Sequence, residues 1–270
     1  MVQNLIDKYA KSLIRTISCY RYMGVKYQCS ACDSRVRTFL PIPKFYSDNA
    51  TKHGFPYGEQ EYETCNIRNY SCPFCAASDR DRLIALYIKK CLKSAIKDRV
   101  INILDIAPSP PLSRFIRNLN LEEHDILYRT ADLFVEGVDD KVNITDMHVY
   151  KDDQFNFFIC SHVLEHVVED KKALRELYRI LKPGGRGILM VPIVLGIKEI
   201  DEDPSVVDEA DRWRRFGQFN HIRLYSKDGF IDRVKEAGFR LHQYGSEFFE
   251  ENTFVKTGIA AQSVLYVVEK

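Results

Sequence analysis

The 270-residue chain is 45% hydrophobic and 29% charged with a formal net charge of +1, few prolines and no low-complexity run, the composition of a globular protein large enough to fold without disulfide support. No apolar run approaches the roughly 18 residues of a membrane-spanning helix, and the start lacks the zones of a signal peptide, so a soluble, cytoplasmic protein without membrane insertion is expected. Charge is uneven: residues 1–100 hold 17 Lys/Arg against 9 Asp/Glu, and the remainder 22 against 29, which allows nucleic-acid binding without favouring it.

Residues 1–24 carry Leu5, Ile6, Tyr9, Leu13, Ile14 and Ile17 at helical spacing, predicting a helix packed on the body. Its polar face is too mildly basic to favour a membrane-surface helix. Next come two C-x-x-C pairs, Cys29/Cys32 and Cys72/Cys75, separated by 39 residues. Two such pairs supply the four thiolates of a closed, structural zinc site, and residues 25–77 are read as a zinc-ribbon module. Its short strands are expected at Tyr27-Gln28 and Arg35–Leu40, with the long interval an elaboration. Disulfides do not suit a reducing compartment, and paired C-x-x-C motifs without a thioredoxin-like context do not read as redox sites. Cys65 is a substitute ligand, whereas Cys19, Cys91 and Cys160 read as buried thiols.

Ser78 caps a predicted connecting helix over 78–99. From position 100 to 270 strands and helices alternate. Strands are predicted at Val100–Ile106, Ile126–Asp132, Phe155–Cys160 and Gly187–Pro192, and helices near Leu112–Leu119 and Lys171–Leu181, the latter stopped by Lys182-Pro183-Gly184-Gly185. This alternation predicts an α/β fold: a doubly wound (Rossmann-like), mostly parallel sheet with the small zinc-ribbon module in front. The stretch Ser161-His162-Val163-Leu164-Glu165-His166-Val167 contains H-x-x-E-H, a zinc-protease signature. Here it straddles a strand end and the expected start of a helix, at the ligand edge of the sheet, so hydrolysis is not the expected chemistry.

The series Asn102–Ala107, Thr130–Leu133, Asn143–Met147, Phe157–Val167 and Ala173–Gly185 resembles a class I S-adenosylmethionine-dependent methyltransferase over roughly residues 100–270. The turn Ala107–Phe115, the later Phe216–Tyr225 and the cysteine front end resemble a bacterial subgroup. The resemblance implies that Asp105 orients the first loop and meets the methionine ammonium, with Ala107 and Pro108 in that loop. It implies that Asp132 binds the ribose hydroxyls, that Asp146 and Met147 meet the adenine, and that Ser161 and His162 lie beneath the methionine portion. One departure stands out: the family's glycine-rich loop is here Asp105-Ile106-Ala107-Pro108-Ser109-Pro110-Pro111, without glycine, and proline stiffens a loop and removes donors.

Methyl transfer to a hydroxyl needs a positioned acceptor and a base. His221 and His162 are the candidate bases, His221 the favoured one, with Arg223 and Tyr225 as acceptor contacts under a lid formed by the insertion 193–225. Glu165 and His166 read as structural residues at a helix start. In small-RNA 3′-end methyltransferases a similar turn and a later histidine hold a divalent metal, which His162, Glu165, His166 and His221 would imitate. The expected function is O-methylation of a small molecule or glycan. The alternatives are an RNA methyltransferase whose zinc ribbon grips substrate, and a cofactor-binding scaffold without catalysis.

Overall fold

The computed structural model describes residues 20–95, 98–119 and 124–270. Most of the amphipathic helix expected over 1–24 lies outside the described residues. The front segment opens with β1 (Met23–Gln28) antiparallel to β2 (Arg35–Val36), a hairpin with Cys29 and Cys32 at its turn. Helix α1 (Lys44–His53) follows and ends on Gly54 at φ 71, the left-handed conformation that glycine adopts without a Cβ clash.

Helix α2 (Asp79–Ala95) begins on a reciprocal cap: Ser78 Oγ accepts the Asp81 amide at 3.1 Å and the Asp81 carboxylate accepts the Ser78 amide at 2.9 Å. Then come β3 (Val100–Ile106), α3 (Pro110–Arg117), β4 (Asp125–Asp132), β5 (Asp140–Lys141), β6 (Phe155–Ser161), α4 (Asp170–Ile180) and β7 (Leu181–Met190). The insertion contributes β8 (Asp201–Glu202), α5 (Glu209–Phe216) and β9 (Arg223–Leu224). Helix α6 (Lys227–Glu236), β10 (Arg240–Tyr244), the short α7 (Thr253–Thr257) and β11 (Leu265–Glu269) complete the chain.

Seven strands form one sheet in the order β10-β11-β7-β6-β3-β4-β5. Five are parallel, and β11 and β10 are antiparallel additions at one edge. The strands β4 and β6 flank β3 on opposite sides, so the strand order reverses there and opens a crevice at the carboxyl ends of β3 and β6. Both faces of β3 and β6 are covered, which is why these two strands read as apolar runs rather than alternating ones. Ile101, Ile103, Phe157 and Ile159 pack with Leu83, Ile84 and Ile88 of α2 and Leu112 of α3. Leu104, Ile106, Phe158 and Cys160 turn the other way, towards Leu174 and Leu177 of α4 and Phe230 of α6. The connecting helix thus covers one face of the sheet.

The insertion is anchored to the front segment. The Glu63 amide donates to the Ile193 carbonyl at 3.1 Å, and the Leu195 amide to that of Glu61 at 2.7 Å. Val194, Phe216 and Leu224 form an apolar cluster with Phe55, Tyr57 and Tyr62.

Two expectations are corrected. The strand expected at 187–192 begins at Leu181, because register jumps between Phe155↔Leu181 and Phe157↔Arg186, so the Pro-Gly-Gly turn is a bulge within β7. The helix expected from Val163 is a single 3-10 turn, Leu164–His166, and α4 starts only at Asp170.

Candidate active site

A cavity of about 590 Å³ opens at the strand switch point, lined by Asp105 near the end of β3, by Ala107, Ser109 and Pro110 of the first loop, by Ser161, which ends β6, and by His162 after it. Its other wall belongs to the front of the chain: Tyr70, Cys75, Ala76, Ser78, Arg80 and Asp81. The first loop is held without glycine. Ala107 takes φ 51, the conformation glycine would supply freely, and its amide donates to the Ala131 carbonyl at 2.8 Å. Ser109 caps α3, with Pro110 at its first position, where a missing N–H costs nothing. The Ser109 hydroxyl also donates to Asp81 at 2.8 Å, so the caps of α2 and α3 are joined.

Asp105 is only 2% exposed and accepts the Tyr128 hydroxyl at 2.6 Å. Burial pushes its carboxyl up to about 7, although the Tyr128 bond pulls the other way. Arg80 lines the same cavity, and among the described residues its side chain makes one hydrogen bond, a long one of 3.4 Å to the Tyr70 hydroxyl. Burial opposes its charge, but Tyr70, Asp79 and Asp81 keep it above the ordinary value. A cation and an acid therefore share this cavity. Arg80 has the sequence appearance of a solvated helix-start residue, and no spacing signal separates it from Arg82.

The remaining cofactor candidates are placed unequally. Asp132 ends β4 beside Ala131; one carboxylate oxygen accepts the Phe134 and Val135 amides at 2.7 and 2.8 Å. Pro108, Asp132, Asp146 and Met147 are not among the cavity-lining residues. Asp146 is exposed beside His148, 3.4 Å away. Met147 is fully buried in the core, and its amide donates to Glu176 at 2.7 Å, so that N–H is not open to an adenine.

The four paired cysteines converge. Each pair forms the same turn: the Asp33 and Ala76 amides return to the Cys29 and Cys72 carbonyls, both at 2.8 Å, with Asp33 at φ 59 and Ala76 at φ 67. The sulfurs of Cys29 and Cys75 lie 3.7 Å apart and those of Cys32 and Cys72 3.8 Å. A tetrahedron with metal–sulfur distances of about 2.3 Å has edges of about 3.8 Å. Cys65 stands outside this group, its thiol pushed up to about 12 by burial, and Cys91 and Cys160 are buried. The second turn, through Cys75 and Ala76, is also a wall of the cavity, and Arg114 of α3 donates to the Cys75 carbonyl at 2.9 Å.

A third group sits under the insertion. Glu165 is 1% exposed, faced by His162 Nδ1 at 3.3 Å and His166 Nε2 at 3.9 Å. Burial raises its proton affinity, yet the surrounding His162, His221 and His166 bring it down to about 2. His221, buried among these groups, falls to about 4, with burial the largest cause. His162 lines the cavity at φ 57, a strained backbone state for a non-glycine residue. His221 does not line it; its ring lies 4.9 Å from that of His166.

Arg223 and Tyr225, expected to touch an acceptor, serve the framework instead. The Arg223 guanidinium, 2% exposed, donates to the carbonyls of Leu164, Val167 and Val168 and to Glu202. The Tyr225 hydroxyl donates to Asp170 at the start of α4. Arg223 thus clamps the Glu165 turn to the insertion and Tyr225 ties the insertion to α4, and their polar atoms are spent on those contacts.

The strand order, the switch-point cavity and the acid-ended β3 define a Rossmann-like methyltransferase architecture. Residues 76–244, more than half of the chain, match the family described as Methyltransferase domain, and the chain belongs to that family, of the class I S-adenosylmethionine-dependent kind. It is 30% identical over 105 residues to an uncharacterised protein of Methanocaldococcus jannaschii, covering 38% of this chain and 46% of that protein. It is 29% identical over 109 residues to the ubiquinone/menaquinone biosynthesis C-methyltransferase of Vibrio campbellii, covering 35% of this chain and 41% of that enzyme. The match thus spans less than half the length of either relative. Among solved structures, an S-adenosylmethionine-dependent methyltransferase from Archaeoglobus fulgidus superposes with a TM-score of 0.44 at 13% identity, covering 72% of this chain and 95% of that one. No helix among the described residues is long and apolar enough to cross a membrane.

Proposed function

We propose that the chain binds S-adenosylmethionine in the switch-point cavity and directs its methyl group to a hydroxyl oxygen of a small-molecule or glycan acceptor. The observation that carries this reading is the pairing of Arg80 and Asp105 in one cavity, a cation and an acid suited to the carboxylate and ammonium of a free amino-acid end. Asp105 is a buried carboxyl whose protonation is finely balanced, and a cationic partner would stabilise its charged form. Asp132 at the end of β4 would take the ribose hydroxyls on its uncommitted oxygen, and the exposed Asp146 the adenine amino group. Ser161 would lie beneath the methionine portion. Bound there, the cofactor supplies a sulfonium methyl whose in-line transfer forms a C–O bond as the C–S bond breaks.

His162 is the residue we assign to the acceptor's proton. It lines the cavity, its Nδ1 faces the Glu165 carboxylate at 3.3 Å, and among the described residues its Nε2 is buried without a partner, so a base would stand beside a carboxylate. His221, turned towards Glu165 and His166, would instead fix that arrangement from behind. The four cysteine sulfurs would hold a structural Zn²⁺; with every position filled by protein the ion has no opening for chemistry.

The test is transfer of labelled methyl from the cofactor to chromatographically separated acceptor pools: sugars and nucleotide sugars, polysaccharide, phenols, and RNA. Label in a methyl ether of a small molecule or glycan, lost in Asp132→Ala, supports the reading. Label confined to carbon, to nitrogen or to RNA overturns the acceptor class, and cofactor binding without any transfer makes the chain a scaffold.

A further inference from the structure

We propose that Glu165, His166 and His221 bind a divalent first-row transition-metal ion, at a second centre independent of the cysteines. Three observations carry it. First, Glu165 is 1% exposed and, among the described residues, neither of its carboxylate oxygens accepts a hydrogen bond, His162 Nδ1 facing it only as an ion-pair partner at 3.3 Å. Burying an ionised carboxylate without hydrogen bonds is among the costlier things a fold can do, and it is kept where a cation compensates. Second, the donor atoms of these three residues all lie within 4.8 Å of one another.

Third, both rings are turned as ligands are. His166 Nδ1 lies 3.0 Å from the Asn220 carbonyl, and His221 Nδ1 lies 3.2 Å from the Phe216 carbonyl. A carbonyl can only accept, so each Nδ1 carries the hydrogen and each Nε2 is left with its lone pair. This is the outer-shell pattern that fixes tautomer and direction in metal-binding histidines. The scaffold is also stiff: the Ile222 amide donates to the Glu165 carbonyl at 3.1 Å, and Arg223 clamps the turn that carries Glu165 and His166. Two imidazoles and one carboxylate suit Mn²⁺, Fe²⁺, Co²⁺, Ni²⁺ or Zn²⁺ rather than Ca²⁺ or Mg²⁺, and three protein ligands leave positions open for water or an acceptor oxygen. His162 stands between this group and the cofactor cavity, so an oxygen held by the ion would be presented beside the methyl donor; this last step rests on the O-methylation reading, whereas metal binding does not.

The experiment adds Co²⁺ and, separately, Mn²⁺ to the full chain purified with its cysteine site filled, with no cofactor or acceptor present. The expected result is one further equivalent per chain, with a Co²⁺ spectrum free of thiolate charge-transfer bands and a rise in Tm on loading. Glu165→Gln and His221→Asn should each weaken uptake at least tenfold and abolish the Tm response, while His148→Asn, at the surface, should retain both. Absence of the extra equivalent in the wild-type protein, or equal uptake by the two variants, overturns the proposal. Should either variant fold poorly, the wild-type Co²⁺ spectrum decides alone, because nitrogen and oxygen ligation supports the site and pure thiolate ligation removes it.

Discussion

Tyr128 and Asp105 are joined across neighbouring parallel strands by a hydrogen bond of 2.6 Å, and the same hydroxyl lies 2.9 Å from that of Ser113 on α3. Strand β4 and helix α3 thereby fix the carboxyl that closes β3. Because burial raises that carboxyl to about 7, the folded chain keeps a proton between about pH 4 and 7 that the unfolded chain releases. Stability from this group is thus full below about pH 4 and declines as pH rises through 7. Asp105→Asn should flatten the decline between about pH 4 and 8 by up to about 4 kcal/mol, read by denaturant unfolding of the two proteins. Identical pH profiles would show that Asp105 is ionised throughout.

A cationic ligand beside Asp105 would favour its ionised form, so affinity for S-adenosylmethionine should increase from pH 5 to 7 in the wild-type chain and stay level in Asp105→Asn. Calorimetric titration at three pH values is sufficient to see the trend. A slope of equal size in both proteins would assign the proton to another group.

Arg80→Gln should weaken cofactor binding about 10- to 100-fold, the range for a lost charge-assisted hydrogen bond, with little change in Tm because the guanidinium's one hydrogen bond among the described residues is the long contact with Tyr70. Unaltered affinity would remove Arg80 from the site.

Cys72→Ser should abolish the metal binding proposed for the four cysteines and lower stability, since binding energy at such a site is folding energy. Elemental analysis and thermal unfolding report on both. One retained equivalent with three cysteines would argue for Cys65 as the replacement ligand.

Arg82 is buried completely, its guanidinium donating to the carbonyls of Asn69, Tyr70, Ala77, Thr257 and Gly258 beneath the Phe39 ring, 3.8 Å away. Gly258 sits at φ 64, and a Cβ there would strike Phe39 at 2.5 Å. Arg82→Met should cost about 3–5 kcal/mol, because it strands several buried acceptors. Arg82→Lys should rescue little, for an ammonium does not reproduce the planar fork. Chemical denaturation measures both, and a loss under about 1 kcal/mol would refute the assignment.

Strand positions were readable because β3 and β6 are apolar runs buried on both faces, a signal that survives without tertiary knowledge. The cysteine cluster was readable from spacing alone. What escaped the sequence depends on contacts made across the fold. Met147 looks available until Glu176, on α4, captures its amide. Arg223 and Tyr225 resemble acceptor contacts until their polar atoms are traced to the Glu165 turn and Asp170. Periodicity after β6 suggested a helix at Val163, but inward-facing Glu165 and His166 and the clamp from Arg223 hold one tight turn there. Arg80 and Arg82 are near-identical on paper; one reaches the cavity and the other the interior.

Cys75 and Ala76 form part of the cavity wall while belonging to the second cysteine turn. An oxidant or chelator that opened that turn would therefore deform the pocket itself, so occupancy of the pocket would register the state of the thiols. Trimming the chain to the sheet and its helices would, for the same reason, yield a truncated protein with one side of its binding chamber missing.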